Sequence, residues 1–250
     1  MQVVIADVDA GALESASRRL AANGAKVSAV TCDVASRESM QQAAAHTFRT
    51  FGNAHLLCNN AGVLAPGPLE RASAQDWMWS FSVNVMGVIH GIETFVPQMR
   101  AHGEGGHVLN TASMAGFRGL PNAAPYCATK AAVVSVSESL AAELATTNIG
   151  VTVLCPGFMR TPLYEHGFER PDRFGGHKET ILDAGAGDPA PLRDAIAGGL
   201  SPEWVARRTV RAIRSDEFYV ITHPQHRDDI AAKADRLLAA YDRAAQEVAT

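Results

Sequence analysis

Short β-branched runs alternate with helix-forming stretches along almost the whole chain, and this alternation constrains the fold more than any other feature. Gln2 to Ala6 (QVVIA), Lys26 to Val30, His55 to Cys58, Gly106 to Asn110, Gly150 to Cys155 and Phe218 to Thr222 read as strands. Between them, Ala10 to Ala22, Ser36 to Phe51, Ser73 to Ala101 and Ala124 to Thr146 have helical composition. The punctuation agrees. Asn23-Gly24 and Gly52 close helices, Ser73 and Asp76 form a capping-box pair, and Ser201-Pro202 opens a later helix. Strands separated by helices of ten or more residues imply βαβ units and a parallel sheet. Right-handed crossovers then bring every strand's C-terminal end to one edge, where ligands bind. Asp7, Asp33, the Asn59–Gly62 turn, Ser113 and Pro156-Gly157 all lie just past strand ends, so this topology gathers them into one crevice.

Composition narrows the function classes. The net charge is −4 and no Lys/Arg cluster is present, which argues against nucleic-acid binding. No apolar run has membrane-spanning length, and no signal peptide is visible at the N-terminus. The four cysteines, Cys32, Cys58, Cys127 and Cys155, are widely spaced and read as buried free thiols in a reducing compartment. A cytoplasmic protein is expected. None of the nine histidines has HxxxH or HExxH spacing, so they read as surface residues and no metal site is expected. Residues 1–250 form one expected domain. Within it, 162–200 is rich in Gly, Pro and Asp and has the texture of a lid. A helical extension over about 224–248 carries Ile230, Ala234, Leu237, Leu238, Tyr241 and Val248 on one face.

One constellation carries chemistry. Tyr126 and Lys130 are one helical turn apart and share a face, Ser113 follows a strand end, and Asn84 sits within the first long helix. A free phenol titrates near 10, so proton transfer at neutral pH needs a shift of roughly 3 units, about 4 kcal/mol of charge stabilisation. An ammonium one turn away is an adequate source. A serine hydroxyl beside the phenol would hold a carbonyl oxygen in place. Singly, each signal is weak: Asn-Asn-Ala-Gly is a common turn, Asp7 would serve equally well at a helix start, and a helical Asn is usually locally bonded.

Their order is more specific. Asp7, Asp33-Val34, Asn59-Asn60-Ala61-Gly62, Asn84 in SVNVMGV, Ser113, Tyr126-Cys127-Ala128-Thr129-Lys130 and Pro156-Gly157-Phe158-Met159-Arg160-Thr161 together resemble the short-chain dehydrogenases/reductases, from Asp7 to about Thr222. The resemblance implies a three-layer α/β/α, Rossmann-like, doubly wound parallel sheet and an oxidoreductase. It implies that Tyr126 is the general acid/base, that Lys130 lowers its pKa and binds the nicotinamide ribose, and that Ser113 anchors the substrate oxygen. Asn84 would be the helix-kink residue that holds a relay water. Asp33 and Val34 would contact adenine, Asn60, Ala61 and Gly62 would pack on the adenosine ribose, and Pro156, Gly157 and Thr161 would hold the carboxamide. A carboxylate at Asp7, followed by Val8 and Asp9 rather than Arg, favours NAD over NADP.

One family element has no counterpart here. The glycine-rich pyrophosphate loop belongs to a strand–turn–helix unit of roughly 30 residues that would precede Asp7. The first βα unit is thus expected to be missing. In the 3-2-1-4-5-6 strand order its strand is a central one. Losing about five buried apolar residues would forfeit on the order of 7–15 kcal/mol. Two readings follow: Met1 is an internal methionine of a longer enzyme, or the short chain is a non-catalytic binding protein. The complete Ser113/Tyr126/Lys130 set favours the enzyme.

Phe158, Met159, Leu163, Tyr164, Phe168 and Phe174 on the lid, with Met114, Phe117 and Leu120 opposite, are expected to line the substrate site. Such a lining suits a hydrophobic, possibly aromatic, secondary alcohol or ketone. The chain is loosely similar to a subgroup that includes dehydrogenases of benzylic alcohols in aryl ethers. The two long helices resemble the elements through which the family forms homodimers and homotetramers.

Overall fold

The computed structural model describes residues 1–161, 163, 169–176 and 190–248. Among the described residues there are six strands: β1 (Gln2–Asp7), β2 (Lys26–Thr31), β3 (Leu56–Asn59), β4 (Gly106–Thr111), β5 (Ile149–Cys155) and β6 (Tyr219–Ile221). The helices are α1 (Ala10–Ala22), α2 (Arg37–Phe51), α3 (Ala74–Phe81), α4 (Gly87–His102), α5 (Ala124–Leu144), α6 (Ala190–Ala197), α7 (Pro202–Arg214) and α8 (Arg227–Val248). The helix ends follow local chemistry. Asp9 accepts from the Gly11 and Ala12 amides, Ser36 and Ser201 cap α2 and α7, and Ser73 and Asp76 form the full capping box. Gly52 ends α2 with φ of 80°, a left-handed conformation that suits glycine.

All strand pairs are parallel, as the βαβ pattern requires. Val108 and Leu109 show the alternation of strand side chains. Val108 packs with Met40 of α2, Met99 of α4 and Leu144 of α5, while Leu109 packs with Val205 and Ala212 of α7. The result is the expected three-layer α/β/α architecture.

The sheet is divided. Among the described residues, β1 pairs only with β2, and β3 to β6 form a second sheet in sequence order. The division falls between β1 and β3, where the 3-2-1-4-5-6 order puts a central strand. Burial reflects it: β4 and β5 are almost wholly buried, whereas β1 has no fully buried residue. Cys58 on β3 is exposed, which corrects the expectation of four buried thiols.

The first long helix is interrupted around Asn84, the position the resemblance marks as a kink: Ser82–Met86 forms a π-helical turn between α3 and α4. The histidines are not all on the surface, contrary to expectation. His90, His107 and His223 are buried, and each has a polar partner: the Val34 carbonyl, the Thr152 hydroxyl and the Gly157 amide respectively.

Candidate active site

The C-terminal ends of β3, β4 and β5 bring the site together. Just past β4, Ser113 caps a 3₁₀ turn over Met114–Gly116 by accepting the Ala115 amide at 3.1 Å. Its hydroxyl donates to the Pro156 carbonyl at 3.3 Å, which ties the end of β4 to the loop after β5. The Ser113 hydroxyl lies close enough to the Tyr126 hydroxyl to pull the phenol's pKa down. Tyr126 lies in the first turn of α5, and the Lys130 ammonium, one turn on, stands 5.6 Å from the centre of the phenol ring. Lys130 is only 4% exposed and donates to the Thr111 carbonyl at 2.8 Å.

The electrostatics differ from the sequence expectation. Burial pushes the Tyr126 phenol above its ordinary value, and the Ser113 hydroxyl pulls it down without reversing the shift. Burial also pushes the Lys130 ammonium down, to about 8. Burial outweighs the influences that would lower it, so in this state Tyr126 is a neutral acid rather than a depressed one. Neutral phenol is the form that donates a proton.

Asn84 sits in the π-helical turn, and its side chain is fully buried. Its oxygen accepts the Val63 amide at 2.8 Å, while its amide donates to the Val63 carbonyl at 2.9 Å and to the Thr129 hydroxyl at 3.0 Å. It therefore fixes the loop after β3 against α5. The π turn accommodates this reach, in keeping with the frequent occurrence of such bulges at functional sites. A Cβ on Gly62 would lie 3.4 Å from both Asn84 Oδ1 and Lys130 Nζ, so Gly62 borders the same pocket.

The residues expected to hold a dinucleotide lie along the same edge. Asp7 ends β1, exposed, and accepts the Asp9 amide at 2.9 Å. Asp33 and Val34 follow β2; the Asp33 carboxylate accepts the Ala35 amide and pairs with Arg173. Burial would raise its pKa, but Arg173 and the Ala35 amide outweigh that and hold the carboxyl low. The expected adenine contact thus already has a cationic partner. Asn60 and Ala61 are exposed beside Gly62, and Asn60 accepts from the Thr111 hydroxyl at 3.1 Å. Pro156 is buried, and Thr161 closes the turn by donating its amide to the Met159 carbonyl. The cradle fits a nicotinamide and its ribose: a buried ammonium with one carbonyl partner stands over a glycine. Among the described residues nothing forms a glycine-rich turn for a pyrophosphate.

One residue escaped the sequence reading. His223 packs on Gly157, where a Cβ would fall 2.7 Å from its ring, and its Nδ1 accepts the Gly157 amide at 3.1 Å and faces the Thr222 hydroxyl at 2.7 Å. The available signal was its place just after the last strand, on the same edge as the others. The expected lining also needs revision. Met114 and Phe117 pack with Val133 and Val153 in the core, and Met159 packs with Leu109 and Leu154, so these three are occupied by the fold. Phe158, Leu163, Phe174 and Leu120 are half-buried. Tyr164 and Phe168 lie outside the described residues.

Comparisons with known proteins agree with this geometry. The family model for short chain dehydrogenases matches residues 1–171. A C alpha-dehydrogenase from a Sphingobium species is 34% identical over 92% of this chain and 74% of its own length. A 1-deoxy-11-beta-hydroxypentalenate dehydrogenase from Streptomyces exfoliatus is also 34% identical, over 90% of this chain and 75% of its own. Among solved structures, a short chain dehydrogenase/reductase from Burkholderia phymatum in complex with NAD is 38% identical. It superposes with a TM-score of 0.90 over 96% of this chain and 86% of that one.

Proposed function

This chain belongs to the short-chain dehydrogenase family, and from that premise we propose that it is an NAD-dependent oxidoreductase acting on a hydrophobic secondary alcohol or ketone. The observation that carries the reading is the Ser113 hydroxyl beside the Tyr126 hydroxyl, with the Lys130 ammonium 5.6 Å from the centre of the phenol ring. The bound nicotinamide would supply or accept the hydride. Tyr126 gives its proton to the carbonyl oxygen in reduction and removes the hydroxyl proton in oxidation. Ser113 holds that oxygen within reach of the phenol, and Lys130 supplies positive charge when the phenol is deprotonated. Asn84 keeps the Val63 loop and α5 in fixed relation. The exposed Asp7 carboxylate, with no arginine in the next two residues, would accept ribose hydroxyls and repel a 2′-phosphate, which supports NAD over NADP. Solution of the related Burkholderia protein with NAD points the same way.

The half-buried Phe158, Leu163, Phe174 and Leu120 support an apolar substrate. No helix of the described residues is long and apolar enough to cross a membrane, and a cytoplasmic homo-oligomer is the setting we infer. Turnover of a panel of aryl and alkyl secondary alcohols with NAD⁺ and NADP⁺ tests the proposal. NAD⁺ should be preferred, and Tyr126→Phe should lower kcat by on the order of 10²–10⁴. Full activity in that variant would overturn the catalytic assignment. Cofactor binding without turnover of any alcohol or ketone would favour a binding protein instead.

A further inference from the structure

At the opposite edge of the sheet, two histidines and a glutamate converge. His55 precedes β3, while His102 and Glu104 lie at the end of α4 just before β4, so the cluster occupies the N-terminal end of these strands, away from Ser113 and Tyr126. One nitrogen or oxygen from each side chain lies within 4.8 Å of those from the other two. The imidazole rings are 5.1 Å apart between centres. His55 Nε2 donates to Glu104 Oε2 at 2.6 Å.

The surrounding chain holds this arrangement in place. Gly103 and Gly105 have φ of 68° and 87°, and these left-handed residues turn Glu104 back towards His55. The His55 carbonyl accepts the His107 amide at 2.8 Å, and the Asn148 side chain donates to the Gly103 carbonyl at 2.9 Å. Asn53 donates to Glu104 Oε1 at 2.8 Å, so the two carboxylate oxygens have separate partners, Asn53 and His55. His102 Nδ1 accepts the Glu104 amide at 3.1 Å, so in the neutral ring the proton is on Nε2, which faces the Ala54 carbonyl at 3.2 Å. Donation of one ring nitrogen to a carbonyl is common among metal-binding histidines, and here Nδ1 coordinates once the Glu104 amide gives it up.

We propose that His55, His102 and Glu104 form a zinc-binding site that clamps the loop before β3 to the end of α4. Two imidazole nitrogens and a carboxylate oxygen are a donor set that Zn²⁺ takes at about 2.0–2.2 Å, with the fourth position left to water. To reach that geometry the His55–Glu104 contact opens from 2.6 Å, and the remaining donor draws in from within 4.8 Å. The ion inserts between His55 Nε2, which releases its proton, and Glu104 Oε2. It takes over the lone pair of His102 Nδ1, and the Glu104 amide turns to water. Half of each of the His55 and Glu104 side chains is exposed, so an ion has a path to the site. Local spacing could not reveal it, because His55 and His102 are distant in sequence and meet only through the pairing of β3 with β4.

The test uses the full, tag-free chain after chelation and dialysis. Titration with Zn²⁺ by calorimetry should give one ion per chain and a raised Tm, and Co²⁺ should give the visible bands of a four-coordinate ion. Glu104→Gln, isosteric and exposed, should weaken Zn²⁺ binding at least ~10-fold, and His55→Ala should do the same. Neither should change turnover of a secondary alcohol. The proposal is overturned if no stoichiometric binding occurs, or if Glu104→Gln binds as tightly as the unaltered chain. Should His55→Ala fail to fold, Glu104→Gln alone decides.

Discussion

Lys130 is the residue whose chemistry is most at odds with its surroundings. Burial lowers its pKa to about 8, whereas an unfolded lysine titrates near 10.4. A depressed folded value means that the unfolded state binds the extra proton between these pH values. Stability therefore rises with pH across that window, and the full burden of charging is present below it. The difference is on the order of 3 kcal/mol. Urea unfolding of the chain and of Lys130→Met at pH 7.5 and 9.5 should show the unaltered chain gaining on the variant at the higher pH. A constant gap would mean that Lys130 is not desolvated. Gly157 makes a second residue-scale case. A methyl there would collide with the His223 ring, so Gly157→Ala should displace the turn that follows β5 and raise the KM for NAD⁺ by on the order of 10-fold or more. A variant with unchanged KM would separate His223 from the cofactor turn. His223 escaped the sequence reading because its contact with Gly157 spans 66 residues of chain.

At the scale of elements, legibility followed the range of the interactions. Capping is local, so Ser73 with Asp76, Ser36, Ser201 and Gly52 could be read directly, and the helix ends fell close to where they were expected. The parallel order followed from the βαβ alternation. The break at Ser82–Met86 was legible only through the resemblance, which implied a kink at Asn84, because nothing in SVNVM by itself opposes an ordinary helix; in the structure Asn84 reaches across to Val63 and Thr129 from the π turn. The approach of Tyr126 to Ser113 was legible from strand ends, but the direction of the phenol's pKa shift was not, since burial is a property of the assembled fold. The divided sheet has a measurable consequence. The β1–β2 pair has one open edge facing the division and no fully buried residue on β1, whereas β4 is paired on both sides. Local opening should therefore be easier in the first pair. Hydrogen exchange should label the Val3–Ala6 and Val27–Val30 amides well before those of Val108–Asn110 and Val151–Leu154. Uniform protection across both sheets would contradict this account.

At the scale of the whole molecule, α8 carries several of the large apolar side chains that the fold leaves uncovered. Ile230 packs against the core near Val133 and Val153, but beyond it Leu237, Leu238 and Tyr241 are about 60–70% exposed, and Val248 is almost fully so. A helix of this length gains little from its own hydrogen bonds and depends on a covered apolar face for its persistence. Met78, Phe81 and Met86, on α3 and the π turn, are also open to solvent. Exposed apolar stripes on helices often mark protein interfaces. The homo-oligomer inferred above would cover them with the same surfaces of a second copy, since closed assemblies are usually built from self-complementary patches. Sedimentation equilibrium should then find the chain as a dimer or tetramer at micromolar concentration. The double substitution Leu237→Glu/Leu238→Glu should shift it towards monomer and reduce helical content, because α8 loses its cover. An unaltered chain that sediments as a monomer with α8 intact by circular dichroism would show that the stripe needs no second copy.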